Sequence, residues 1–367
     1  MNRYIASRHV EVYRRQGEFA GWPANYGLWT WGNETVCIFA AGRLGSPDGG
    51  LHLEDSGSPF TPMQARSSDG GLTWTTEAFN ARVPGSGTLS ADEHVDEALK
   101  ARNRMAPSRD IHPLEAPIDF LDAETIILAA RTGITGRPAS WFYVSRDRAR
   151  SWEGPFGFEG LDLAGGISAR TDIVALGRHD ALFMLTTTKD DGEEGRVFCA
   201  RTRDGARTFR FRSYLWNGRQ GYAIMPASAR LSDGTILTLV RRNDEGKRGW
   251  IDAYASIDEG RTWSFAGRPV ADTGHMGNPP ALTRLDDDRL VLTYGYRSPP
   301  FGIRAVVSTD GGASWSEPMT IRDDGGGPDL GYPRTVMRPD GSVLAVYYFN
   351  CAENGERFIA ATAFKVP

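Results

Sequence analysis

Arginines that end apolar runs are the residues of this chain with the most obvious chemistry to offer. Arg43 closes TVCIFAAGR, Arg241 follows the apolar run of LSDGTILTLVRR, and Arg297 closes VLTYGYR. A guanidinium fork grips a carboxylate through two parallel hydrogen bonds, so such arginines suit an acidic ligand. Arg242 alternates to the other strand face, and Arg304 in FGIRAVVS competes with Arg297 for the same place. The loop SPDGGLHLEDSG supplies three carboxylates, Asp48, Glu54 and Asp55, which are either proton-transfer groups or a solvated acidic loop. Histidines number only six, and two of them, His112 in RDIHPLE and His275 in GHMGNPP, stand where apolar runs begin. Converging on one axis they would supply a base near neutral pH; apart, they are ordinary loop residues. No metal-ligand spacing, phosphate loop or Ser-His-Asp elbow is apparent, and no cofactor is expected. GSGT (85–88) and DDGGGPD (323–329) are glycine-rich without a strand-to-helix context, and read as loops.

The elements that must position these residues come from a repeat. Ser/Thr-x-Asp-x-Gly/Ala-x-Thr/Ser-Trp/Phe occurs five times, starting at Ser67, Ser145, Thr202, Ser256 and Ser308. The aspartates Asp69, Asp147, Asp204, Asp258 and Asp310 are spaced by 78, 57, 54 and 52 residues. Asp bonds backbone a few residues on and Gly admits positive φ, so each copy is a tight turn with a terminal aromatic plug. Between the turns lie six hairpin patterns, at 27–43, 116–132, 171–187, 228–242, 281–297 and 335–350. Two hairpins per repeat make a four-stranded blade. The pattern predicts an all-β, six-bladed β-propeller occupying residues 1–367 as one domain. SRHVEVYRR (7–15) alternates and is expected to close the last blade, removing an exposed edge. The long first step leaves room for an insertion, and ADEHVDEALKARNRM (91–105) predicts a short surface helix at the pocket rim.

Composition narrows the partners. A net charge of −4 argues against a nucleic-acid or membrane-surface partner, which would need a basic face. No run approaches the length of a membrane span, and MNRYIASRHV lacks the apolar stretch of a signal peptide. The chain is therefore read as cytoplasmic, or as an exported protein whose signal has been removed. Cys37, Cys199 and Cys351 are odd in number and flanked by apolar or small residues, which predicts buried free thiols.

Repeated Asp boxes on six blades resemble the sialidase (neuraminidase) superfamily over nearly the whole chain. The boxes speak for the fold more than for the activity. The resemblance implies three arginines on a substrate carboxylate, a tyrosine nucleophile, a glutamate that activates it, and an aspartate acid/base. Tyr332 matches the nucleophile, lying eight residues before Asp340 in GYPRTVMRPDG. Arg241 matches the arginine sixteen residues after the activating glutamate, and that register puts Met225 in the glutamate's place. Glu245 lies too far along the next turn to substitute. Arg297 matches the third arginine. The first-blade arginine is missing: Ala24 occupies its place and Ala41 that of its supporting glutamate, with Arg43 as a partial replacement. Asp55 is the implied acid/base. Strand starts add Trp22, Asn25, Tyr26, Asp110, His112, Arg170, Asp172, Tyr222, His275, Asn278, Asp329 and Arg334 as pocket candidates. Trp22, Tyr26 and Trp29 are either sugar-stacking platforms or packing residues.

Three functions fit. The first is a sialidase-like exo-glycosidase that removes a terminal sialic or uronic acid from an acidic oligosaccharide or glycoconjugate. The second is a uronate lyase using Tyr332, His275 or His112, and arginines. The third is a glycan-binding propeller without catalysis. A carboxylate beside the Tyr332 hydroxyl favours the first, a histidine the second, and neither the third.

Overall fold

The computed structural model describes the chain apart from residues 1–2, 5–6, 47–49, 85–88, 91, 103–109, 171 and 245–247. Asp48, Glu245, the GSGT loop and both ends of the 91–105 segment therefore lie outside the described residues.

Six sheets follow one another along the chain as the six blades of a propeller, antiparallel except where the short strand Arg3–Tyr4 joins the edge of blade 5 in parallel. In blade 1, Glu18–Gly21 and Gly27–Trp31 both pair with Glu34–Arg43, followed by Thr61–Ser67 and Thr75–Ala78. Blade 2 has three strands among the described residues, Ile126–Arg131, Ser140–Ser145 and Glu153–Gly157. Blade 3 runs from Asp172–Gly177 to Arg210–Tyr214, blade 4 from Tyr222–Arg230 to Ser264–His275, and blade 5 from Ala281–Arg284 to Met319–Arg322. Blade 6 contains Gly331–Met337, Val343–Phe349 and Phe358–Phe364, and its outer strand is the N-terminal Ser7–Tyr13. That strand pairs antiparallel with Phe358–Phe364, so the two ends of the chain share one sheet. Central strands such as VLAVYYF are buried at every position because neighbouring blades cover both faces.

The Asp boxes hold the blades together. In the first, the Ser67 hydroxyl donates to Asp69 Oδ1 at 2.8 Å and accepts from the Gly71 amide at 2.8 Å. Asp69 also accepts from the Thr73 amide at 2.9 Å and the Thr73 hydroxyl at 2.6 Å. The hydroxyl-to-amide bond recurs at Ala149, Ala206, Gly260 and Gly312. The fifth residue of each box has positive φ, which favours glycine and, at two boxes, strains an alanine. Space also selects it. A Cβ on Gly71 would meet Leu344 of blade 6 at 2.7 Å, and one on Gly260 would meet Cys199 of blade 3 at 2.6 Å. Each of these boxes thus wedges its turn against the preceding blade.

Two expectations need correction. Cys37 and Cys199 are buried, but Cys351 is exposed in the turn after blade 6's second strand. The insertion holds a helix, Glu97–Arg102, preceded by a 3-10 turn at Asp92–His94. It is more than surface decoration: Leu89, Val95 and Leu99 are buried in the same cluster as Trp22, Tyr26 and Tyr332. Apolar side chains on one face of the segment draw it over the propeller axis.

Candidate functional site

Tyr332 stands at the start of blade 6's inner strand with φ +50, in the left-handed region that a tyrosine rarely occupies. Asn278 of blade 5 braces this conformation. Its Oδ1 accepts from the Tyr332 amide at 3.0 Å and the Gly295 amide at 3.2 Å, while its Nδ2 donates to Leu330 O at 3.0 Å. Asn278 was expected on the substrate; its amide is instead wholly engaged with backbone. Trp22, Met225 and Met276 also have positive φ, at 62°, 54° and 60°. Trp22, Met225 and Tyr332, from blades 1, 4 and 6, share one buried cluster.

Two arginines flank the phenol. Arg241 donates to the Tyr332 hydroxyl at 2.8 Å and to Met276 O at 2.6 Å, and its Nη1 lies 3.7 Å from Met225 Sδ. Arg297 donates to Leu330 O at 3.1 Å, Gly277 O at 3.1 Å and the Tyr348 hydroxyl at 2.8 Å. Both guanidinium carbons lie over the Tyr332 ring, at 5.5 and 5.4 Å from its centroid. The two residues are only 5% and 1% exposed. Among the described residues neither is in an ion pair, whereas the other buried arginines of this region are. Arg131 pairs with Glu93, Arg170 with Glu194 at 2.5 Å, and Arg357 with Asp329 at 2.7 Å. Burial opposes ionisation of Tyr332, but Arg241, Arg297 and Arg170 outweigh it and hold the phenol below its ordinary value. Tyr222, whose hydroxyl donates to Met276 O at 3.0 Å, is pushed up by burial.

Across from Tyr332 lies a pair of histidines brought by loops. His52, from the first-blade loop, has Nδ1 2.7 Å from Asp329 Oδ1 and 3.4 Å from the Tyr348 hydroxyl. Asp329 is buried and further bound by the Leu53 amide at 3.1 Å, the Tyr348 hydroxyl at 2.8 Å and Arg357. His52 and Arg357 hold that carboxyl, despite its burial, well below the usual carboxylate range. The ring of His52 sits edge-on to Tyr332, with centroids 6.4 Å apart, and to His94, 5.0 Å apart. His94 comes from the insertion. It stacks on Trp22 at 3.9 Å and 11°, and its Nδ1 lies 3.2 Å from Glu54 Oε1. Burial would raise the Glu93 carboxyl, but Arg131, His94 and Arg170 hold it down to about 2.

Several candidates fall elsewhere. Asp55 accepts from the Gly57 amide at 3.1 Å and the Ser58 hydroxyl at 2.7 Å, so its carboxylate is engaged in its own turn. His112 and His275 are exposed, and the histidines that converge are His52 and His94. Arg43 is exposed at its strand end, opposite Glu18, and replaces no buried charge. Arg304 lies over the Tyr296 ring, leaving the axial place to Arg297. Tyr26 is buried and its hydroxyl donates to Leu89 O, anchoring the insertion. Arg334 reaches inward, donating to Ala24 O at 3.1 Å with Asp172 at 3.9 Å. It thus touches the backbone where the first-blade arginine was expected. A surface depression of about 510 Å³ lined by Arg203, Arg210 and Arg261 lies on the outer side of blade 3, away from Tyr332. The axial residues are covered by the insertion and the first-blade loop, and their geometry rather than surface shape singles them out.

A family model described as a BNR repeat-like domain matches residues 97–345. The chain belongs to this family. By repeat and fold it is a divergent member of the sialidase superfamily. A crystal structure of a protein of unknown function from Dyadobacter fermentans superposes with a TM-score of 0.71 at 21% identity, covering 98% of this chain and 99% of that one. The NanB sialidase of Streptococcus pneumoniae gives 0.63 at 13% identity, over 93% of this chain and 68% of that one. A Trypanosoma rangeli sialidase mutant displaying trans-sialidase activity gives 0.59 at 13%, over 98% of this chain and 59% of that one. At such identities the likeness is one of fold. No curated protein matches the sequence.

Proposed function

We propose that the protein is a glycosidase that cleaves a terminal acidic sugar, with the sugar carboxylate on Arg241 and Arg297 and with Tyr332 as nucleophile. One observation carries this reading: two buried guanidinium groups without ion-pair partners flank one tyrosine. Burying a cation is costly unless a counter-charge meets it, and a ligand carboxylate is the counter-charge of matching shape. The substitution at Met225 fits the same account. In the sialidases that the chain resembles, the tyrosine and its glutamate share one negative charge. Here the glutamate is gone, and Arg241, Arg297 and Arg170 ease loss of the phenol's proton instead. Attack by the Tyr332 oxygen on the anomeric carbon then relies less on a carboxylate beside it.

A second reading has its own support. His52 has one ring nitrogen held by Asp329 and the other without a hydrogen bond among the described residues, an arrangement suited to a base. With the arginines neutralising a uronate carboxylate, that base could remove the proton next to it, and the bond to the neighbouring sugar would break by β-elimination.

One experiment separates the two. Purified protein is incubated with sialosides and uronate-capped oligosaccharides, and products are read by mass spectrometry and by absorbance of the unsaturated uronate. A hydrated free sugar that disappears with Tyr332→Phe supports the hydrolase. An unsaturated product moves the assignment to a lyase, and no product from any substrate leaves a binding propeller.

A further inference from the structure

We infer that His52 is the acid/base residue of the reaction, donating a proton from Nε2 to the leaving oxygen, with Asp329 as its positioning residue. The inference rests on the glycosidase reading above and adds the group that reading lacks, since Asp55 is engaged in its own turn. The first-blade loop still delivers a proton-transfer residue to the axis, but it is His52, three positions earlier.

The geometry supports the role from several sides. Asp329 Oδ1 accepts from His52 Nδ1 at 2.7 Å, which fixes the tautomer and leaves Nε2 as the working nitrogen. Nε2 makes no hydrogen bond among the described residues, and the side chain keeps 14% of its surface exposed. Asp329 itself cannot turn away, because Arg357, Leu53 and Tyr348 hold its two oxygens. Trp22, at 5.3 Å, and His94 close the far side of the ring, and Tyr332 faces it edge-on. An acid and a nucleophile thus stand in contact with one another, each fixed by a buried partner.

The step balances. With His52 as the imidazolium, the Tyr332 oxygen forms a bond to the anomeric carbon and its own proton leaves to solvent. The exocyclic C–O bond breaks, its electron pair stays on the leaving oxygen, and the proton of His52 Nε2 goes to that oxygen. In the second half, water attacks the same carbon, its proton returns to Nε2, and the bond to Tyr332 breaks with its electron pair on the phenol oxygen, which takes a proton back from solvent. Groups facing His52 tune the proton. Burial lowers its affinity for a proton, Asp329 raises it, and His94 and Arg297 lower it, so the imidazolium is lost below the ordinary histidine range. Tyr348 and Tyr332, also in contact, are uncharged donors when protonated. Activity on a poor leaving group should therefore fall as pH rises and the imidazolium loses its proton.

The test compares two glycosides of the same acidic sugar, one with an alkyl and one with a 4-methylumbelliferyl leaving group, which departs without protonation. His52→Ala should lower kcat/KM on the alkyl glycoside by about 10²–10⁴-fold and on the aryl one by roughly tenfold or less. Asp329→Asn should keep part of the activity and shift the pH profile. Circular dichroism and binding of the free sugar check that the variants are folded, and His52→Asn serves if the alanine variant is not. Equal losses on both glycosides, or none on the alkyl one, would overturn the assignment of His52 while leaving the glycosidase reading intact. A wild-type protein that cleaves neither glycoside overturns both.

Discussion

Replacing Arg241 with methionine should separate stability from binding. The substitution removes two hydrogen bonds, to the Tyr332 hydroxyl at 2.8 Å and to Met276 O at 2.6 Å. Bonds from a charged donor are worth about 1.5–3 kcal/mol each, which sets the loss at about 3–6 kcal/mol. Against it stands the desolvation of a cation that is 5% exposed and has no ion pair among the described residues, itself several kcal/mol. Met276 O keeps the Tyr222 hydroxyl at 3.0 Å, so only the phenol loses its partner. The terms nearly cancel, and the stability of the unliganded protein should change by no more than about 2 kcal/mol, or roughly 3 °C in Tm. Binding is another matter. Truncating one side of a buried charge pair costs about 2–5 kcal/mol, or roughly 30- to 5000-fold in Kd. Differential scanning calorimetry gives the first quantity, and isothermal titration with sialic and glucuronic acids gives the second. A Tm fall well beyond about 3 °C, with Kd unchanged for whichever sugar binds, would show that Arg241 is structural and refute the argument from an unpaired charge.

Other consequences are as direct. Asn278→Ala leaves the Tyr332 and Gly295 amides without their acceptor, while Leu330 O keeps Arg297, so a loss of about 2–3 kcal/mol in chemical unfolding is expected, together with a fall in kcat. A stability loss with kcat unchanged would show that the bracing has no bearing on Tyr332. Asp258→Ala removes four bonds of one box and should cost ~2 kcal/mol in the same assay while leaving ligand affinity unchanged, because the box lies at the blade edge. Glu93 is held near 2 against an ordinary 4.5, so its contribution is fully present above about pH 4.5 and is lost as pH falls towards 2. Glu93→Gln should flatten the fall of Tm with acidification in that window, and an unchanged profile would show that its ion pairs do not carry acid stability.

The Asp-box spacing by itself determined the architecture, because each box is a local circuit. Ser67, Asp69 and Thr73 bond one another within seven residues, and the left-handed fifth position shows in the sequence as Gly or Ala. The resemblance to the sialidases, read at the strand end of LSDGTILTLVRR and before the turn at Asp340, singled out Arg241 and Tyr332. The acid/base side of the site was not legible. His52 and His94 come from the first-blade loop and the insertion, segments outside the repeat, and nothing in LHLED marks His52 over Asp55. Which of them faces the axis was decided by contacts 277 residues apart, where buried Asp329 takes His52 Nδ1. The same holds for charge: sequence counts arginines, but only packing shows that Glu93, Glu194 and Asp329 neutralise three of them and leave Arg241 and Arg297 unpaired. Local hydrogen bonding writes itself into spacing, whereas charge balance at an axis is a sum over six blades that only the closed ring brings together.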